Sequence, residues 1–516
     1  MIIMCTMVRL TAVRHTALMG GVLMLLAGAA GLHVDTGFPY NPIEPLHSIT
    51  VDWEVALQDE SSISITRAID AGRCPQIGMP PYSNEAGSLD EGLGNDYPLD
   101  QSTLDMLVTD QLRNSYGHLR SVFQKLMAGQ DVSILVLGGS ETAGADCTQT
   151  LSDGHTLSGK ACAWPSRLKN ILQLAFPSSR IRVINAAYGG TTSSVVLAGI
   201  GLIFKGLGSA HADIVILDTL VNDAQAAKTW DSTGELPLRE DQTVSIAYEG
   251  LVRALHELSP HSLIVSLFAG CPKCEAMKSA HRQIVDHYRL MYIDYQRAEA
   301  AKRDPRFWHG PSSQSHNPAH PWWGGHQLMA DTVAGVWQII LNGGCGKPQD
   351  DTMFFPSATF HSEEHLKLFP TCLKPRSSFS AYDAIHDPEA PEPLIIHGWR
   401  LFEDRPGKPG WISEESGAVM RIPLQFGPAP RLSMTFLRSY EGLGRAEFEM
   451  NGYNLPLEGL WGKDCPERVS QSHVAFYNAA MDTSWGTGFG VGANGSQEAT
   501  ITARGDKFKL IGISTC

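Results

Sequence analysis

The sequence has no run of five or more basic residues, and its formal net charge is −14. Both features argue against nucleic acid or an anionic membrane surface as the main partner. No G-x-G-x-x-G follows a predicted strand, and the glycine-rich stretch GGSETAG at 138–144 lacks the lysine of a phosphate-binding loop. No nicotinamide, flavin or nucleotide cofactor is therefore expected. The one C-x-x-C, Cys271-Pro-Lys-Cys274, has no second pair to complete a zinc site. That favours a local disulfide there over a zinc or redox motif. The sequence also shows no internal repeat.

What is present is ordinary for a globular chain: 516 residues, 43% hydrophobic, with 50 Gly and 30 Pro marking many turns. That length suits two to four domains. Arg9 and Arg14 precede an apolar run from Thr16 to Leu32, then small residues and the polar His33 and Asp35. This is the pattern of a secretory signal peptide or an uncleaved signal anchor, assigned to 1–34. Either way the remainder is expected in the secretory lumen or outside the cell, touching a membrane only through that anchor. Nine cysteines beyond Cys5 fit an oxidising compartment, and a bridge between Cys147 and Cys162 would hold the glycine-rich loop after Ser140. Asn494-Gly-Ser is the one glycosylation sequon noted.

The stretch DVSILVLGGSETAG at 131–144 organises the rest. Val132–Leu137 is a β-forming run suited to burial on both faces, broken by Gly138 and Gly139, with Ser140 at the break. Strand ends of this kind hold the ligands of open parallel α/β sheets. Ser140 is read as a nucleophile, with a helix N-cap as the plainer alternative. The stretch is not a G-x-S-x-G elbow, because the fifth residue is Thr142.

Strand and helix then alternate. An amphipathic helix spans 101–128, ending the lead-in 35–130, and a helix covers Trp164–Phe176. A strand at Ile181–Ile184 is followed by Gly189-Gly190, a helical stretch to about Gly206, and a strand at 213–218 ending in Asn222-Asp223. A helix at Ser245–Leu258 leads to the strand Leu263–Phe268; a helix from about Met277 carries into Tyr292-Ile293-Asp294, and a last one covers Gln327–Leu341. The pattern predicts a parallel sheet with helices on both faces over 131–345, of the flavodoxin-like type that the resemblance given below implies. Residues 346–390 read as a linker, and 391–516 as a β-sandwich with strands at Leu394–Phe402, Val419–Phe426, Leu432–Arg438, Ala446–Met450, Val474–Tyr477, Ala499–Ala503 and Phe508–Ile513.

Four loops line up at strand ends: GGS at 138–140, GG at 189–190, VND at 221–223 and NPAHPWWGGH at 317–326. Together, over about residues 120–345, they resemble the sequence blocks of the SGNH (GDSL-like) hydrolase superfamily, with Ser140, Gly190, Asn222 and His320 in the family's order. GGSETAGADC followed by CAWPSRL resembles a eukaryotic, largely algal and fungal branch. The resemblance implies Ser140 as nucleophile and His320 as base, with an oxyanion hole from the Ser140 and Gly190 backbone N–H groups and the Asn222 amide. One position departs from the family: its usual acid, three residues before the histidine, is here Asn317. Asn317 can orient His320 through its carbonyl oxygen without adding charge.

Other residues have plainer readings. Asp146 and Asp223 read as loop-stabilising, His326 as packing at a helix start, and Trp322 and Trp323 as core or sugar-cleft residues. His316, His320 and His326 as metal ligands is the minor alternative, and no metal is expected. The functional expectation is a secretory-pathway serine esterase or O-acyltransferase acting on small acyl esters, acetyl in particular, on glycans. The rival is a non-catalytic glycan-binding or adhesion protein whose site has decayed at Asn317; a zinc or redox protein built on Cys271 and Cys274 is the third reading.

Overall fold

Five short apolar runs become the strands of one parallel sheet. The computed structural model describes residues 98–108, 116–151, 153–207, 211–230, 240–270, 274–309, 320–343, 355–387, 389–404, 408–461, 469–478 and 495–516. The targeting segment, Asn317, His316, Asn494 and Cys74, Cys271, Cys345 and Cys465 lie outside the described residues. The sheet strands are β1 (Val132–Gly138), β4 (Ile181–Asn185), β5 (Ile214–Asp218), β6 (Leu263–Phe268) and β7 (Met291–Asp294); β2 (Thr148–Thr150) and β3 (Thr156–Ser158) form a hairpin beside it. The order is β4-β1-β5-β6-β7, every pair parallel. This is the expected flavodoxin-like order, and it reverses direction between β1 and β5.

Alternation along β1 shows why the sheet is buried on both sides. Ile134 and Val136 face one core with Leu119, Phe123, Leu168 and Trp337. Leu135 and Leu137 face the other with Leu197, Ile200, Leu251 and Ile284. Each such side chain contributes about 1.5–3 kcal/mol on burial. The helix expected over 101–128 is instead two, Gln101–Leu107 and Tyr116–Met127; backbone at Val108 is extended and stops the first. Both bury leucines in the same core, so spacing alone reads them as one. Residues 291–294, expected to continue from the helix near Met277, are the strand β7, and that helix ends at His287.

The C-terminal region is two antiparallel sheets around one core, the expected sandwich. Its strands are β8 (Ser377–Ser380), β9 (Ile395–His397), β10 (Trp399–Glu403), β11 (Pro409–Ser413), β12 (Val419–Phe426), β13 (Arg431–Ser439), β14 (Arg445–Met450), β15 (Tyr453–Glu458), β16 (Ser470–Asn478), β17 (Gly495–Arg504) and β18 (Phe508–Thr515). One sheet runs β10-β11-β18-β13-β16 with β8 also on β18, the other β15-β14-β17-β12-β9. Met420, Ile422, Phe448 and Ile501 meet Trp411, Met434, Phe436 and Leu510 between them. Leu394–Phe402, expected as one strand, is divided at Gly398, whose φ of +72° turns the chain from the second sheet into the first.

Much of the stretch read as a linker is built into the molecule. Glu249, buried on the helix Glu240–Leu258, accepts the backbone N–H groups of Phe360 and His361 at 2.7 and 2.8 Å. It also pairs with His361 Nδ1 at 2.5 Å and accepts the Tyr288 hydroxyl at 2.5 Å. His361 Nε2 lies 3.1 Å from Ser245 Oγ. Further on, Cys372 bridges Cys516 across a separation of 144 residues, a closure the chain-entropy model values at about 5 kcal/mol. Phe369 packs in the α/β core and meets Phe476 of β16 at 5.5 Å. β13 and β16 rest on the helix Ser193–Gly206.

Candidate active site

Ser140 stands where the sheet order reverses, at the first position of a four-residue helix, Ser140–Ala143, directly after β1. The turn is tight. Gly139 donates to the Asp218 carbonyl at 3.2 Å, and a Cβ at Gly139 would lie 1.8 Å from Asn222 Nδ2. Only glycine fits there, which is the physical reason for the glycine before the serine. Downstream, the Cys147–Cys162 disulfide closes the glycine-rich loop, as the cysteine positions suggested.

His320 lies just before the helix Trp323–Gly343, partly exposed, with Nδ1 2.7 Å from Asp146 Oδ2. Asp146 sits six residues after Ser140 at the end of the same loop, with a left-handed φ of 61°. From the sequence it reads as a loop-stabilising residue; in the fold its carboxylate also holds the histidine. A carboxylate on Nδ1 sets the tautomer in which Nε2 can accept a proton, and stabilises the imidazolium that results. A carboxylate thus reaches His320 from a segment far from position 317, where the sequence has Asn. The signal for it was an Asp in a short, disulfide-closed turn after the serine in a chain with Asn at the usual position.

Two of the expected oxyanion donors flank the serine. Asn222 lies in the first turn of the helix Leu220–Trp230, just after β5, and is buried. Among the described residues its Nδ2 has no hydrogen-bond partner, an uncommon state for a buried amide and the state a donor awaiting an oxyanion would have. Gly190 follows β4 in a turn with φ of +78°. At the adjoining Gly189, a Cβ would stand 3.7 Å from Ser140 Cβ. Asp223 ties these two segments together. It accepts the Ser193 backbone N–H at 2.8 Å and the Ser193 hydroxyl at 2.5 Å, and its Oδ2 is 3.3 Å from His281 Nε2. The loop-stabilising reading of Asp223 fits this role.

Beneath the serine lie two buried carboxyls that sequence reasoning passed over. Ser140 Oγ donates to Glu141 Oε2 at 3.3 Å. Burial, then the charge of Asp218, pushes the Glu141 carboxyl up to about 7. Burial likewise raises Asp218 to about 6, against hydrogen bonds from Thr142 and Trp164. Thr142 Oγ1 donates to Asp218 at 2.5 Å and accepts the Trp164 indole N–H at 3.3 Å.

The remaining candidates are structural. Trp322 and Trp323 are buried in the α/β core, so the core reading holds rather than the sugar-cleft one. His326 is fully buried, accepts the Trp164 backbone N–H on Nδ1 at 3.4 Å, and is pushed down to about 3 by burial and then by Arg167 and His320. Cys274 is disulfide-bonded, which leaves it no thiolate for zinc. Among the described residues no group of three or more His, Cys, Asp or Glu side chains could hold a metal ion, and no helix is long and apolar enough to cross a membrane.

No protein-family model matches the sequence, and no curated protein matches it. Solved structures do match its fold. A two-domain esterase active on acetylated mannans, CEX, aligns with a TM-score of 0.50 at 19% identity, over 78% of this chain and 95% of its own. The same esterase co-crystallised with mannopentaose aligns with a TM-score of 0.50 at 18% identity, over 77% and 94%. A putative GDSL-like lipase from Parabacteroides merdae matches 41% of the chain at 17% identity with a TM-score of 0.31. The chain has the fold of the two-domain esterase: a parallel α/β domain followed by antiparallel all-β sheets.

Proposed function

We propose that the protein is an SGNH-type serine esterase that removes small acyl groups, acetyl in particular, from glycans in the secretory pathway or outside the cell. The observation that carries this reading is the Asp146 carboxylate on His320 Nδ1, which answers the loss of the family's usual acid at position 317. In the proposed reaction Ser140 Oγ attacks the ester carbonyl carbon while His320 Nε2 takes its proton. The oxyanion is received by the Ser140 and Gly190 backbone N–H groups and the unpartnered Asn222 amide, donors worth about 10²–10³ in rate each. His320 then protonates the departing sugar oxygen, and water cleaves the acyl-enzyme. A sugar hydroxyl in place of that water would make the same site an acyltransferase.

The mannan activity of the two-domain neighbour supports an acylated glycan as substrate, and the disulfides support an oxidising compartment. The test needs no substrate. Wild type and Ser140→Ala are incubated with a fluorophosphonate and weighed intact. One adduct on the wild type and none on the variant is the expected result. Folded wild type without an adduct would return the protein to the non-catalytic glycan-binding reading, and glycan arrays would follow.

A further inference from the structure

The two donors beside Ser140 are held from outside the α/β domain. Gln471 of β16 is buried, and its Nε2 donates to the Asn222 carbonyl oxygen at 3.1 Å and to Gln225 Oε1 at 3.3 Å. One residue on, the Ser472 backbone N–H donates to the Gly190 carbonyl at 3.3 Å. The two backbones lie side by side there: a Cβ at Gly190 would be 3.5 Å from Gln471 Cα and from the Ser470 carbonyl oxygen. One strand of the sandwich therefore touches both the residue whose amide faces the serine turn and the turn that carries the second donor.

We propose that Gln471 is a positioning residue of the oxyanion hole. Through the Asn222 carbonyl, and with the adjoining Ser472–Gly190 bond, it sets the spacing between the Asn222 amide and the Gly190 N–H. This rests on the esterase reading above. The physical reason is tolerance: donors act when they lie about 2.7–3.1 Å from the developing oxyanion, and an ångström of misplacement can cost about 10² in rate. Asp223 anchors the start of the helix Ser193–Gly206 to the Asn222 helix, but it lies past the Gly190 turn. The bonds from β16 reach Asn222 and Gly190 themselves. The sandwich is thus a wall of the catalytic site as well as a neighbour of it.

The test uses the full chain with p-nitrophenyl acetate and fluorophosphonate labelling. Gln471→Met keeps the bulk and removes the donor; Gln471→Glu keeps the shape and is the second variant should the first fail to fold. Phe476→Ala, which weakens the packing on Phe369 without touching either donor, is the control for domain docking. The expected result is a kcat about 10- to 100-fold lower for the Gln471 variant. KM and the midpoint of the pH profile stay near wild type, and Phe476→Ala lowers the melting temperature while keeping its kcat. A Gln471 variant with wild-type kcat overturns the proposal and leaves the esterase reading standing. An equal loss of kcat in Phe476→Ala overturns it too, because the effect would then be docking. Wild type with neither turnover nor an adduct overturns the esterase reading, and this proposal with it.

Discussion

Two of the serine–histidine–carboxylate groupings among the described residues differ in the respects that matter for chemistry. In one, Ser245, His361 and Glu249 are joined by bonds of 3.1 and 2.5 Å, a relay closed from end to end. In the other, His320 and Asp146 are joined at 2.7 Å, while the Ser140 hydroxyl donates to Glu141. Read by distances alone, the first is the better triad. Yet Ser245 is buried within a helix, and Glu249 also takes two backbone N–H groups and a tyrosine hydroxyl, so the grouping clasps residues 360–361 to the α/β domain. Ser140 stands at a strand end where the sheet order reverses, beside a glycine turn and an unpartnered buried amide. Residue types and short distances make a network; the strand end and the buried amide beside it are what make Ser140 the candidate.

The sharpest way to break this comparison is to delete each serine. Ser140→Ala is expected to abolish the fluorophosphonate adduct and lower ester turnover by about 10⁶. Ser245→Ala should leave turnover unchanged and lower unfolding stability by about 1 kcal/mol, through the lost partner of His361. The carboxylates come next. Asp146→Ala is expected to lower kcat by about 10²–10⁴ with little change in melting temperature, since its side chain is half exposed. Glu249→Ala should do the reverse, costing about 3 kcal/mol of stability while the folded fraction keeps its rate. Asn317→Asp, by contrast, should change turnover by no more than a few-fold, because Asp146 already holds the histidine; a large gain would show that Asp146 is not the acid.

Asn222→Ala is expected to lower kcat by about 10²–10³ with KM near wild type, measured on p-nitrophenyl acetate. The smallest effect separates the two glutamates by pH. Glu141 is raised in the fold to about 7 from an ordinary 4.5, so its contribution is complete below 4.5 and is lost as pH rises through about 7. Glu249 is lowered: burial opposes this, but bonds from His361, Tyr288 and two backbone N–H groups outweigh it. Its contribution is present above 4.5 and is lost as pH falls through its depressed value. Melting temperature against pH should therefore flatten on the alkaline side for Glu141→Gln and on the acid side for Glu249→Gln. Matching profiles would show that the two carboxyls share one environment.

Most of the sheet was legible in the chain. Leu263–Phe268 and Val419–Phe426 are strands with the expected bounds, because runs of β-branched and apolar residues between turn signals have few alternatives. β8, β11 and β15 are strands that local pattern does not announce: the first is serine-rich and the others carry proline; β8 and β11 gain their strand form from the distant β18, and β15 from its hairpin with β14. Loop motifs single out Ser140, Gly190, Asn222 and His320 as candidates, and the fold brings the first three to adjoining strand ends. Asp146 reads locally as a loop aspartate, since nothing local distinguishes one that serves its own turn from one that also reaches a histidine 174 residues away.

Local pattern therefore carried the alternation of strand and helix, the strand-end loops and the residue types they display. These follow from backbone propensity and the burial of apolar faces, which act over a few residues. Which aspartate meets His320, which serine is a clasp, and the reach of Gln471 to Asn222 depend on side chains from distant segments arriving within 3 Å or so of one another. Packing sets that geometry through the whole core at once, and no window of the chain contains it.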